Sequence, residues 1–179
     1  MNVINPILRT LTLGVALGGA LPIVALAQTA TGQAIGSWEF STTVDQMTDK
    51  SRSSITVRSG KNEFAFQCDA PGPGSIYPIF VSERYLGGNG AGYGRRRIML
   101  RFDTDEITNA TWVYKGTIAF IPHDPNQSAA LMHRATTAQK LAVRAITYDS
   151  QFADAIFELN DTATAIAKLR EACRDPAGT

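Results

Sequence analysis

An α+β fold, with a mostly antiparallel β-sheet or sandwich followed by two late helices, is what this sequence predicts, and three observations predict it. Short runs rich in β-branched and aromatic residues, cut by glycine, proline and asparagine turns, fill residues 37–121. Two stretches with helical spacing follow, at 126–137 and after Asp161. Cys68 and Cys173, the only two cysteines, lie behind an export signal. In an oxidising compartment such a lone thiol pair closes, which would tie the C-terminal helix to the sheet.

The export signal is read in residues 1–27. Arg9 precedes an apolar run over 11–26 that ends in Ala25-Leu26-Ala27. A basic start, an apolar middle and a small-x-small end are the parts a signal peptidase reads. Pro22 breaks the helix just before the cut, and Gly14, Gly18 and Gly19 make the run a poor match to a span of about 20 apolar residues. No cysteine follows that could carry a lipid anchor. Cleavage after Ala27 would leave 152 of the 179 residues, the size of one ordinary domain. Residues 28–36 are small and polar and read as a flexible leader, with 37–179 as a single globular domain.

Charge narrows the function classes. The chain has 17 basic and 16 acidic residues, and Arg9 is the one charged residue in the removed segment. The exported chain is therefore neutral overall, which argues against a nucleic-acid binder. No later segment is apolar enough for stable membrane insertion, so the expected localisation is periplasmic or secreted.

Each element has its own signal. Strands are predicted at 37–44, 54–58, 63–68 and 76–81, separated by Ser59-Gly60-Lys61-Asn62 and Pro71-Gly72-Pro73-Gly74. Phe64 and Phe66 alternate with Ala65 and Gln67, as in a half-buried strand. A glycine-dense loop over 86–94 leads through Arg95-Arg96-Arg97 into a strand at 98–103. Here Ile98, Leu100 and Phe102 share one face and Arg97, Met99, Arg101 and Asp103 the other. Strands follow at 111–115 and 117–121, linked by Gly116, and Pro122-His123-Asp124-Pro125 stops them. The first helix takes Asp124 or Asn126 as cap and Leu131, Met132 and Ala135 as its apolar stripe. Residues 140–148 alternate, with Leu141, Val143 and Ala145 on one face and Ala142, Arg144 and Ile146 on the other, and 153–159 supplies another strand. The last helix is capped at Asn160 or Asp161, and Ile166, Leu169, Ala172 and Cys173 fall on one side. That phase points Cys173 inward, toward Cys68.

The search for chemistry excludes more than it finds. His123 and His133 lack a metal-ligand spacing, so no metal and no cofactor is predicted. Asp103-Thr104-Asp105-Glu106 lacks the glycine and late Glu of a calcium loop. There is no Gly-x-Ser-x-Gly elbow, and a disulfide removes both thiols as nucleophiles. Asp45 and Asp49 suit a capped turn, Asn109-Ala110-Thr111 is a glycosylation pattern in a chain whose signal reads as bacterial, and Asn160-Asp161-Thr162 suits a helix cap. The positive finding is the glycine loop with its arginines. Gly-rich backbone can converge N–H groups on an anion, and Arg95, Arg97 and Arg101 on one strand face can add bidentate contacts to phosphate or carboxylate. Tyr93, with Tyr85, adds rigid contact area with a polar tip. The bland counterpart is a hairpin loop whose arginines keep a strand soluble.

The order Trp38, Asp45-Gln46-Met47-Thr48-Asp49-Lys50, Cys68, Leu100-Arg101-Phe102-Asp103, Lys140-Leu141-Ala142-Val143-Arg144 and the closing helix through Ala172-Cys173 resembles the exported TagO/VasI-like family associated with type VI secretion. The resemblance covers most of the chain after the signal. It implies export, this fold and a disulfide, together with a place near type VI secretion, and it brings no catalytic residues. Asn160-Asp161 stands where that family tends to carry a small Ser-Gly step. The expected function is therefore a non-catalytic accessory or binding protein of the bacterial cell envelope, whose partner is an envelope protein or a peptidoglycan fragment. The alternative is a small cell-envelope hydrolase acting on peptidoglycan through dispersed carboxylates such as Asp45 and Asp103.

Overall fold

A computed structural model of the chain describes residues 32–88, 94–122 and 124–175. The signal and its cleavage site, Tyr93 and His123 lie outside the described residues. Among the described residues, ten strands form one antiparallel sheet, and two helices come late, as expected. The strands are β1 (Gln33–Ile35), β2 (Trp38–Val44), β3 (Ser51–Ser59), β4 (Asn62–Cys68), β5 (Tyr77–Val81), β6 (Gly94–Phe102), β7 (Thr108–Lys115), β8 (Ile118–Phe120), β9 (Lys140–Ile146) and β10 (Phe152–Glu158). The helices are α1 (Pro125–Thr137) and α2 (Thr162–Cys173).

The spatial order is β1-β2-β3-β4-β5-β8-β7-β6-β9-β10. The first five strands are a meander, as the regular turn signals predict. The later order is not sequential, because β8 rather than β6 pairs with β5 and β9 crosses back beside β6. The sheet folds over on itself. Phe157 of β10 lies 6.0 Å from Phe64 of β4 and 6.3 Å from Phe80 of β5, ring centre to ring centre. Burying these aromatic rings against one another favours closure.

Helix α2 closes the open side of this fold. Its buried residues Thr162, Ala165, Ile166, Leu169 and Cys173 join the core with Trp38, Ile55 and Phe66. The indole N–H of Trp38 donates to Thr162 Oγ1 at 2.9 Å, which fixes the start of the helix. Cys173 is bonded to Cys68 at the end of β4, with Cα atoms 6.1 Å apart. The predicted staple is therefore present, and it joins the last turn of the last helix to the sheet. α1 packs on α2 and β5.

Several expectations need correction. Residues 33–35 are a strand, not part of a loose leader, because Gly36 turns the chain (φ 58°) so that Ile35 pairs with Trp38. A Cβ at Gly36 would lie 2.4 Å from the Asn160 carbonyl oxygen, so only glycine lets the two turns touch there. The Ser37 hydroxyl then donates to Glu158 O at 2.6 Å and accepts from Asn160 N at 2.9 Å, blunting the β10 edge. At α2, Asp161 occupies the cap position with a left-handed backbone but makes no side-chain cap bond. Strand β3 begins at Ser51, three residues early, since Thr42 and Ser53 share a hydroxyl pair at 2.9 Å.

Of the glycine loop over 86–94, residues 89–93 lie outside the described residues. Leu86 is fully buried, and the N–H groups of Leu86 and Gly87 both donate to Gly116 O. Those donors are spent inside the fold and cannot cradle an anion. Gly88 is needed for close approach, because a Cβ there would meet Tyr114 O at 2.0 Å.

Candidate functional site: the outer face of β6, β9 and β10

Strand β6 runs through the middle of its half of the sheet, between β7 and β9. Ile98, Leu100 and Phe102 point into the core. Alternation puts Arg95, Arg97, Met99 and Arg101 on the outer face, with all three arginines exposed. Successive outward positions stand about 7 Å apart along a strand, so the guanidinium groups form a row. Arg96 has the opposite parity. It turns to the mouth of the fold and donates to the carbonyls of Leu86 and Thr147, each at 3.4 Å.

Register decides what the row faces. Arg95 lies opposite Val113, Arg97 opposite Thr111, and Arg101 opposite Ala142. Elsewhere the sheet sets charges opposite each other. Arg58 faces Glu63, Arg144 faces Asp154 and Lys140 faces Glu158 across neighbouring strands, each an ion pair. Among the described residues, Arg95, Arg97 and Arg101 pair with no carboxylate.

A groove of about 300 Å³ opens beside Arg101. Its origin is one small side chain: Ala142 of β9 sits between Arg101 of β6 and Ile156 of β10 on one rung. Met99 and the Arg144–Asp154 pair form one wall and Ile107 another. Arg144 also lies over the Phe152 ring, 4.7 Å from its centre. The hydrogen bond from Arg144 lowers the pKa of Asp154, so this carboxylate stays ionised and Arg144 is spoken for. Arg101 is the uncommitted cation of the groove. Ile107, Phe152 and Ile156 are each more than half exposed, so the face combines a free guanidinium with apolar contact area.

The remaining sequence-derived candidates are held in structural roles. Asp45 accepts from Met47 N at 2.8 Å in the β2–β3 turn, and that bond holds its carboxyl below the usual range. Asp103 accepts from Gln139 N at 3.0 Å and Lys140 N at 2.8 Å, fastening the β6–β7 turn to the start of β9. Tyr85 packs on Tyr148, with ring centres 5.8 Å apart. Among the described residues no cluster of His, Cys, Asp or Glu could hold a metal ion, and no helix is long and apolar enough to cross a membrane.

Sequence reasoning missed the groove itself. The outward series Phe152, Asp154, Ile156 in β10 was visible as alternation. Its placement beside Arg101 depends on β9 returning across α1 to pair with β6, which local periodicity does not encode. No family model, curated protein or solved structure matches this chain.

Proposed function

We propose that this is an exported, non-catalytic binding protein of the bacterial cell envelope, which grips an anionic group of its partner with Arg95, Arg97 and Arg101. The unpaired arginine row carries the reading. Three guanidinium groups in one line, opposite neutral residues in a sheet that otherwise pairs its charges, leave forks free for bidentate contact with carboxylate or phosphate. The apolar residues around Ala142 add area for whatever flanks that anion. The three-part signal pattern and the buried disulfide support export. The partner is an envelope protein, a type VI secretion component among them, or a peptidoglycan fragment, whose stem-peptide carboxylates suit the row.

The test compares wild type with the Arg95→Ala, Arg97→Ala, Arg101→Ala triple variant, first for binding of soluble muropeptides and then for capture of partners from envelope extract. The expected result is salt-sensitive binding that the triple variant loses. Equal binding by both proteins would sink the reading. Turnover of labelled peptidoglycan that Asp45→Ala or Asp103→Ala abolishes would favour a hydrolase instead.

A further inference from the structure

A second cavity lies on the other half of the sheet, between β5, β8 and the first turn of α1. It measures about 390 Å³, and its walls include Asp69, Tyr77, Phe120, Asp124 and Ser128. That is near the lower end of the range of about 300–1,000 Å³ typical of small-molecule sites. It shares no lining residue with the groove at Ala142.

Its chemistry is distinctive in two ways. The ionisable lining is acidic. Burial raises the Asp69 carboxyl, but hydrogen bonds from Tyr77, Arg52 and Gln67 outweigh it and hold the group ionised, while Asp124 accepts from Gln127 N at 2.9 Å. Among the described residues, no Lys or Arg lines the cavity. Anions are therefore disfavoured, and because Arg52 already neutralises Asp69, the cavity is no strong cation trap. Finally, Tyr77 and Phe120 stand with ring centres 6.4 Å apart and, with Ile76, give it an apolar side.

We propose that this cavity binds a neutral polyhydroxylated ring, a pyranose sugar. Its hydroxyls donate to the remaining lone pairs of Asp69 and Asp124, while its C–H face lies on Phe120 and Tyr77. The requirement is for a ligand with many hydroxyls, no charge and one apolar face.

Saturation-transfer NMR on the purified protein tests this with glucose, N-acetylglucosamine, cellobiose and chitobiose, and with glucose 6-phosphate as the charged control. A neutral sugar is expected to bind with saturation strongest on ring C–H protons, and the phosphorylated control more weakly. Ala70→Trp, at an exposed position on the rim, is expected to abolish binding without changing the melting temperature. The arginine triple variant should bind the sugar as wild type does, which separates this site from the anion-binding face. No binding of any neutral sugar at about 10 mM, or unchanged binding by Ala70→Trp, would overturn the proposal.

Discussion

Strands β4 and β6 are both interior to the sheet, yet they treat outward charge in opposite ways. On β4, Glu63 meets Arg58, which also pairs with Glu39, and Gln67 donates to Asp69 and Tyr77. On β6, Arg95, Arg97 and Arg101 meet valine, threonine and alanine. The first arrangement spends its charges on the fold. The second leaves them to solvent, where like charges in a row repel weakly and add nothing to stability. The difference separates a face that is part of the architecture from a face that is available.

Substitutions can break this contrast, and they fall in order of expected effect on stability. Cys173→Ser reopens a loop of 105 residues and should cost up to about 4–5 kcal/mol in the chain-entropy model, read as a lower melting temperature and loss of helix protection at α2 in hydrogen exchange. Phe157→Ala removes the ring that joins the two halves of the folded sheet and should cost about 3–5 kcal/mol in denaturant titration. Asp103→Ala frees two backbone donors and should cost about 1 kcal/mol. Arg58→Ala, whose side chain is half exposed, should cost only about 0.2–1 kcal/mol. The three β6 arginines should cost nothing when replaced by alanine while binding is lost. A melting temperature that falls as far for the triple variant as for Arg58→Ala would erase the contrast.

A pH titration sharpens the same comparison on the β4 side. Burial first, and the hydrogen bond to Asp69 second, push the Tyr77 phenol up to about 12. Its folded pKa exceeds its unfolded one near 10, so the stability it contributes is whole below about pH 10 and fades as pH rises through 12. Absorbance at the tyrosinate band should show Tyr77 titrating late, alongside Tyr114, whose phenol burial also raises, and Asp69→Asn should bring the Tyr77 step down. Asp69 itself has the opposite sign. Its carboxyl is held low, so its contribution is present above the unfolded carboxylate range and is lost as pH falls through the folded value.

Much of this fold was legible in the chain. Alternation placed Ile98, Leu100 and Phe102 inward and the β6 arginines outward, and Asp124 does cap α1 through Gln127 N. The helical phase of Cys173 pointed it at the core, where it meets Cys68. Less legible were interactions without a local period. Gly36 looks like a leader residue and Ser37 like an ordinary strand start until Asn160 and Glu158 come within reach. Leu86 and Gly87 look like the start of an open loop until Gly116 takes their N–H groups. For the candidate site, the arginine row could be read from parity, but the groove could not, because Ala142 is a depression only between Arg101 and Ile156.

The sequence by itself determined the strand faces, the two helices and the inward thiol of α2, because side-chain direction in a strand or helix follows from spacing along one segment. Only the tertiary structure decided which strands are neighbours, and with that which charges are neutralised, which stay free and where two cavities open. Those outcomes depend on register between segments far apart in the chain, set by closure of the sheet around Phe157 and by the staple from Cys68 to Cys173.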